Sequence, residues 1–110
     1  MLTLRLYALQ RLTALIMAPL VLGHIAVMIY AVQGGLSAAE ILGRTQGSLL
    51  WMLFYGSFVI AVSIHAAIGL RVIAFESFKL KGTALSLFTW GAGLALLIMG
   101  GRAVYAVTAL

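Results

Sequence analysis

The chain has 110 residues, of which 65% are hydrophobic and 8% are charged, and it carries a formal net charge of +5. A single small domain has too little interior to bury this much apolar surface, so a water-soluble fold is excluded and an integral membrane protein is predicted. The seven basic residues are scattered along the chain, which excludes a nucleic-acid-binding patch. The lack of cysteine excludes iron–sulfur ligation and disulfides on this chain.

Three long apolar segments predict an all-α membrane protein, with residues 1–110 forming one domain. The predicted helices cover about residues 12–32, 49–75 and 84–101, and the apolar part of each is near the roughly 20 residues that a helix needs to cross hydrocarbon. A cleaved signal peptide is the alternative for the first segment. That segment is longer than the usual ~7–15-residue apolar core and lacks an A-x-A-like exit, so we expect it to be retained.

A polar cluster opens the first predicted helix, in the stretch YALQRLTA. Gln10, Arg11 and Thr13 lie at the mouth of the helix, and Tyr7 precedes Arg11 by about one turn. Such a group can hydrogen-bond a quinone carbonyl, with the arginine polarising the oxygen as it becomes negative. An ordinary interfacial collar of Arg and Tyr is the simpler interpretation of the same pattern, and both stay open.

His24 lies further along the same segment, thirteen residues after Arg11. This spacing puts it roughly 20 Å from the N-terminal end of the helix, near the opposite side of the membrane. Pro19, between them, removes a hydrogen bond from the helix and predicts a bend. An ionisable group inside a membrane helix is a functional-site hypothesis by default, and a neutral imidazole suits a haem iron.

The connection over residues 33–48 begins with two glycines that end the first helix. Ser37 to Leu42 predicts a short amphipathic helix at the membrane surface, and Ser37 with Glu40 three residues later matches a capping box. Further along the chain, Thr83 is predicted to cap the third long helix.

His65 lies in the second long segment, six residues before Arg71 and therefore roughly 9 Å from that end of the helix. One interpretation is a neutral histidine that hydrogen-bonds to a neighbouring helix. The other is an axial haem ligand, for which Ala66, Ala67 and Gly69 provide a small-residue surface that a flat macrocycle can approach. Arg71 would then meet a haem propionate, or it is a snorkelling anchor at the lipid boundary.

The two histidines differ in predicted height by about 11 Å on ideal helices. Because two axial ligands approach one iron from opposite faces at nearly equal height, His24 and His65 cannot hold the same haem. If both are ligands, they serve two haems, and each needs a second histidine from another chain. The spacing predicts a partner subunit.

Basic residues are shared unequally between the two ends of the predicted helices. Five lie at the end that holds the N-terminus and two at the other, namely Arg5, Arg11, Arg71, Lys79 and Lys81 against Arg44 and Arg102. By the positive-inside rule, the N-terminus is expected in the cytoplasm. We expect a multi-pass protein of the bacterial inner membrane, with the mitochondrial inner membrane as the alternative and with membrane lipid as a contact.

Two motifs carry a resemblance to a known family. His65-Ala66-Ala67-Ile68-Gly69-Leu70-Arg71 completes an H-x-x-x-G-x-R pattern, and Gln10-Arg11-Leu12-Thr13-Ala14 partly matches H-R-x-S-G. Over about residues 5–75, the chain resembles the cytochrome b membrane-anchor (C) subunit of succinate dehydrogenase and fumarate reductase complexes.

The resemblance implies half of a two-subunit haem-binding helical bundle. It makes His65 an axial ligand of the haem b nearer the iron–sulfur subunit, Arg11 the quinone-site arginine, and His24 similar to the distal-haem ligand of two-haem members. The family's serine and histidine before this arginine are replaced by Tyr7 and Gln10. The implied partners are a second membrane-anchor subunit, an iron–sulfur subunit and a flavoprotein subunit.

The function expected from the resemblance is electron transfer between the iron–sulfur subunit and membrane quinone, with no dicarboxylate or flavin site on this chain. One alternative is a haem-free anchor whose histidines only hydrogen-bond between helices. The other is a small proton-conducting transporter subunit, which the lack of an acidic residue inside the predicted spans disfavours.

Overall fold

The computed structural model describes residues 3–109, which form four α-helices and, within that range, no strand. The helices are α1 (Leu4–Gly34), α2 (Ala38–Thr45), α3 (Leu49–Phe78) and α4 (Gly82–Thr108). Of these, α1, α3 and α4 are long and apolar enough to cross a membrane. The predicted all-α fold with three transmembrane helices is confirmed.

The long helices extend beyond their predicted apolar segments. Helix α1 begins at Leu4 rather than near residue 12, and the Thr3 side chain caps it by accepting a hydrogen bond from the Leu6 N–H at 3.2 Å. Hydropathy detects the part of a helix that lies in hydrocarbon, whereas backbone hydrogen bonding continues into the interface. Pro19 lies inside α1, which is helical on both sides of it.

Helix α2 begins at the predicted capping box. The Ser37 hydroxyl oxygen accepts from the Glu40 N–H at 3.2 Å, and the Glu40 carboxylate accepts from the Ser37 N–H at 3.4 Å and from its hydroxyl at 2.6 Å. These hydrogen bonds lower the pKa of Glu40, the side-chain bond more than the backbone bond. The sequence pattern therefore identified both the helix and its start.

The C-terminal end of α2 is bound to the C-terminal end of α4. The Thr45 hydroxyl donates to the Val107 carbonyl at 2.6 Å, and the Gly47 N–H donates to the Thr108 carbonyl at 2.8 Å. The last carbonyls of a helix have no partner within the helix. Thr45, the last residue of α2, and Gly47 therefore provide hydrogen-bond donors to two carbonyls at the end of α4.

Arg44 binds α2 to the C-terminal end of α1. Its guanidinium donates to the Gly35 carbonyl at 2.8 Å and lies 5.8 Å from the centre of the Tyr30 ring. A cation at this position also complements the negative end of the α1 dipole. Helix α2 thus bridges two long helices at the same end of the bundle.

The prediction that Thr83 caps α4 is wrong. Helix α4 begins at Gly82, its N-cap residue is Lys81, and no side chain caps it. Three residues connect α3 to α4, and Lys79 turns the chain at the end of α3 in a left-handed conformation with φ of 58°. This tight connection starts α4 before Thr83, which therefore lies inside the first turn.

Helix α3 occupies the centre of the bundle. In its most apolar stretch 28% of the residues are buried, against 6% for α1 and for α4. Four of the five side chains that it buries are small, namely Ala61, Ser63, Ala67 and Ala74, and the fifth is Ile68. Small side chains let helix backbones approach closely, which is the main source of helix association in a bilayer.

Two glycines of α4 make the closest contacts with α3. A Cβ added at Gly100 would lie 2.6 Å from Cγ1 of Val59, and one added at Gly93 would lie 3.3 Å from Cβ of Ala67. Because the Val59 side chain is β-branched and stiff, it cannot easily move away. The α3–α4 packing therefore depends on the missing side chain at Gly100.

We expect Gly100→Ala to destabilise the folded chain relative to Gly101→Ala. Both substitutions gain about 1 kcal/mol of helix propensity, but only the first overpacks the contact with Val59, at a cost of about 1–3 kcal/mol. A Cβ at Gly101 meets nothing within 4 Å, so this variant is the matched control. Thermal unfolding in detergent micelles measures the difference, and equal stability of the two variants would contradict this packing.

We also expect the stability of α2 to depend on pH through Glu40. Folding lowers the pKa of this carboxyl below its ordinary value of 4.5, so its contribution is present above that pH and is lost as the pH falls through the folded-state pKa. Amide hydrogen-exchange protection of α2, compared with Glu40→Gln, measures the effect. The glutamine retains a hydrogen-bond acceptor but does not titrate. Identical pH profiles of exchange protection in the two proteins would therefore contradict the prediction.

Candidate functional site

His65 is bound to a neighbouring helix inside the bundle. Its Nδ1 lies 3.1 Å from the hydroxyl oxygen of Thr13, which joins α3 to α1. Thr13 is 3% exposed, so water has little access to compete for this bond. The interhelical partner that the sequence required for His65 is therefore Thr13, a residue predicted for the quinone cluster.

The surroundings of the Thr13 hydroxyl bear on the tautomer of His65. The hydroxyl oxygen lies 2.9 Å from the Leu9 carbonyl and 3.0 Å from the Gln10 carbonyl, both in its own helix. A hydroxyl has one hydrogen, and carbonyls only accept. When either carbonyl takes that hydrogen, Nδ1 of His65 carries a proton and donates it to the hydroxyl oxygen.

In this tautomer the Nε2 lone pair of His65 is available. Within residues 3–109, the His65 ring makes its hydrogen bond through Nδ1 and none through Nε2. A neutral imidazole whose Nδ1 donates a hydrogen bond is the form that ligates a metal through Nε2. Ala66 and Gly69 keep the nearby surface of α3 small, so the residues present fit a haem iron at His65.

Gln10 lies beside His65 on the α1–α3 contact. A Cβ added at Gly69 would be 3.7 Å from Nε2 of Gln10. The Oε1 atom of Gln10 is buried and has no hydrogen-bond partner among residues 3–109. Buried polar atoms are rarely left unsatisfied, so Gln10 presents an acceptor that suits a donor from outside this chain.

The predicted quinone cluster divides between two faces of α1. Gln10 and Thr13 face α3, whereas Tyr7 is 51% exposed and Arg11 is also exposed. The Arg11 guanidinium lies 5.9 Å from the centre of the Tyr7 ring. The structure therefore pairs Tyr7 with Arg11 on the outside of the bundle, and Gln10 with Thr13 on the inside.

His24 faces α3 from the other half of α1. Its ring lies edge-on to Phe58 with 5.0 Å between ring centres, and edge-on to Tyr55 at 6.4 Å. Neither aromatic residue was identified from the sequence as a neighbour of His24. Phe58 lies seven residues, or about two turns, before His65 and therefore near the same face of α3.

An apolar cleft of about 490 Å³ adjoins His24. Its walls come from all four helices and include Thr45, Phe58, Met99 and Val104. The cleft lies in the half of the bundle where α2 bridges α1 and α4. His24 therefore presents a half-buried imidazole to an apolar space.

The two histidines belong to separate sites. Thr13 lies at the level of His65 and precedes His24 by eleven residues, which corresponds to roughly 16 Å along α1. The sequence estimate of about 11 Å assumed that Arg11 and Arg71 lie at equal height. The Thr13–His65 contact shows instead that Arg11 is level with residues 67–68, so the separation is larger.

Arg71 faces α4, whereas His65 faces α1. One terminal nitrogen of Arg71 donates to the Thr89 hydroxyl at 3.3 Å, and its Nε is buried without a partner among residues 3–109. Six residues of helix correspond to a rotation of about 240°. The structure therefore places the two ends of the H-x-x-x-G-x-R motif on different sides of α3.

Within residues 3–109, the acidic, histidine and cysteine residues form no group of three or more that could hold a metal ion. Each histidine stands apart from other candidate ligands. An iron bound at either histidine would take one ligand from the described part of this chain.

Comparison with protein families identifies a related family. A family model described as "Succinate dehydrogenase/Fumarate reductase transmembrane subunit" matches residues 1–107. Searches of curated proteins and of solved structures returned no match to the chain.

Proposed function

The chain belongs to the succinate dehydrogenase/fumarate reductase transmembrane subunit family, and from this membership we propose that it is the haem b- and quinone-binding anchor of such a complex. It passes electrons between an iron–sulfur subunit and membrane quinone. The observation that carries the proposal is His65, whose Nδ1 lies 3.1 Å from the Thr13 hydroxyl while Nε2 makes no hydrogen bond within residues 3–109.

His65 would hold a haem iron through Nε2, with the second axial ligand supplied by a second membrane-anchor subunit. A bound haem supplies reversible one-electron transfer between ferric and ferrous iron. The chain's own residues orient the imidazole, since Thr13 holds Nδ1 and α3 presents small residues beside the ring.

His24 is proposed as the ligand of a second haem. The support is its separation of roughly 16 Å from the level of His65 and the apolar cleft beside its ring. An apolar wall excludes water and lowers the local dielectric, which shifts the balance between ferric and ferrous iron. The chain would thus provide one ligand at each of two heights.

Arg11 is proposed as the quinone-binding arginine. Its exposed guanidinium can donate to a quinone oxygen and stabilise the negative charge that develops on reduction. Tyr7, on the same face, can add a hydroxyl, whereas the buried Oε1 of Gln10 lies on the α3 side of α1, away from Arg11. Thr13, predicted as a fourth contact, is engaged by His65 instead.

The basic end of the bundle is proposed as the docking face for the soluble subunits. Five of the seven basic residues lie at this end by sequence, so the positive-inside rule places it in the cytoplasm of a bacterial cell. The iron–sulfur subunit docks there and connects to the flavoprotein subunit, which carries the dicarboxylate chemistry.

A haem-free anchor of a related dehydrogenase is the second candidate, because the Thr13–His65 hydrogen bond also satisfies a histidine that serves only to join two helices. A reduced-minus-oxidised spectrum of the purified complex separates the two functions. A b-type band supports the haem proposal, and a spectrum without one favours the haem-free anchor.

We expect His65→Ala and His24→Ala each to remove a different haem from the assembled complex, because each variant loses the iron ligand that this chain provides. Haem content per complex and the low-temperature band positions measure the loss, with subunit stoichiometry as the check on assembly. Full haem content in the His65→Ala complex would remove the central claim.

We expect Arg11→Gln to lower quinone reduction by about 10²-fold in kcat/KM, because one charge-stabilising donor is lost. Arg5→Gln is the control, since Arg5 is an exposed arginine one to two turns earlier on α1. Succinate oxidation with a soluble dye as acceptor should be unchanged in both variants. Equal quinone kinetics in the two variants would argue against a quinone at Arg11.

A further inference from the structure

We propose that Thr13 is a positioning residue for the haem iron, because its hydroxyl holds the proton on Nδ1 of His65 and so keeps Nε2 free to ligate. The inference rests on the proposed haem ligation by His65. It assigns to Thr13 a role in haem retention and in the reduction potential, in place of the quinone contact that the sequence suggested.

The hydrogen-bond geometry around Thr13 offers two backbone carbonyls to its hydroxyl hydrogen. Three polar atoms surround the hydroxyl oxygen, at 2.9 Å (Leu9 carbonyl), 3.0 Å (Gln10 carbonyl) and 3.1 Å (His65 Nδ1). Whichever carbonyl receives the hydroxyl hydrogen, the oxygen turns a lone pair towards Nδ1. The β-branched side chain restricts rotation away from this arrangement.

The same logic applies at a second threonine, which shows how the bundle uses this residue. The Thr89 hydroxyl donates to the Leu85 carbonyl of its own helix at 2.8 Å and accepts from Arg71 at 3.3 Å. At Thr89 the backbone takes the hydrogen because arginine can only donate, and the oxygen becomes an acceptor for a side chain of α3. The proposal gives Thr13 the same role, as the acceptor for Nδ1 of His65.

Loss of this acceptor would act on the iron in two ways. The imidazole could exchange its proton to Nε2, which cannot then ligate, and the ring would lose the contact that fixes its orientation. A hydrogen bond donated from Nδ1 also makes Nε2 a stronger base and stabilises ferric iron. Without it, haem affinity falls and the reduction potential of the remaining haem rises.

The position of Thr13 also makes haem retention depend on α1. The imidazole belongs to α3, but the acceptor that fixes its tautomer belongs to α1, 52 residues away in the chain. The two helices must therefore be correctly aligned before His65 has its ligating form.

The test compares Thr13→Val, which keeps the shape and removes the hydroxyl, with Thr13→Ser, which restores it, in the complete complex. We expect Thr13→Val to weaken haem binding by about 10- to 100-fold and to raise the potential of the haem nearer the iron–sulfur subunit. Thr13→Ser should retain wild-type values. Haem dissociation rates and a potentiometric titration of the b-type bands measure both effects without turnover.

Thr108→Val is the matched control. Thr108 is 6% exposed, and its hydroxyl donates to the Val104 carbonyl of its own helix at 2.6 Å, without a side-chain partner in residues 3–109. The control variant should keep the wild-type haem affinity and potential. It separates the loss of a buried hydroxyl from the loss of the bond to His65.

Wild-type haem affinity and potential in Thr13→Val would overturn the positioning role while leaving His65 ligation intact. A wild-type complex without b-type haem would overturn both proposals. If Thr13→Val does not assemble, Thr13→Cys replaces it, because sulfur is a weak acceptor. The inference then requires the Thr13→Cys complex to bind haem more weakly than the Thr13→Ser complex. Equal haem affinity in these two variants overturns it.

Discussion

The bundle depends on one constraint, which is that polar atoms inside a bilayer must find partners within the protein. Threonine hydroxyls meet this requirement at several places. Thr13, Thr45 and Thr89 each lie within hydrogen-bonding distance of a carbonyl in the preceding turn, and each also contacts a group on another helix. Thr89 donates to its own helix and accepts from another, whereas both neighbours of Thr45 are carbonyls that compete for one hydrogen. In each case a short side chain connects two helices at the cost of very little volume.

Close packing of small residues explains why α3 is the centre and why so much of α1 and α4 is apolar and exposed. Lipid tails are as apolar as leucine, so burial of large side chains gives no net attraction between helices. The large residues accordingly lie outside, as Leu15 at 72% and Trp90 at 71% exposure illustrate. The interior is left to alanines and to glycines such as Gly100, whose missing side chains determine how closely the helices approach.

Much of this arrangement could be predicted from the sequence, because length and hydropathy determine which segments cross a membrane and because the Ser37–Glu40 capping box is a local pattern. The side-chain contacts between helices could not be predicted from the sequence. Which helix each polar side chain faces depends on how each helix is rotated about its axis and on the relative heights of the helices. Both follow from packing at positions such as Gly100 rather than from the spacing of residues in the sequence. The sequence therefore identified Thr13 and Arg71 as polar groups of a site. It did not indicate that Thr13 contacts His65 of α3 or that Arg71 contacts Thr89 of α4.

The bonds beside α2 have a consequence for how the protein is made. Thr45 lies before α3 in the chain, and the Val107 carbonyl that it contacts lies 62 residues later, near the end of α4. A ribosome delivers the chain from its N-terminus, so the short helix is synthesised well before its acceptor exists. The end of the bundle that carries the cleft beside His24 can therefore reach its final form only after the last span has entered the membrane, which makes closure of this end a late step of biogenesis.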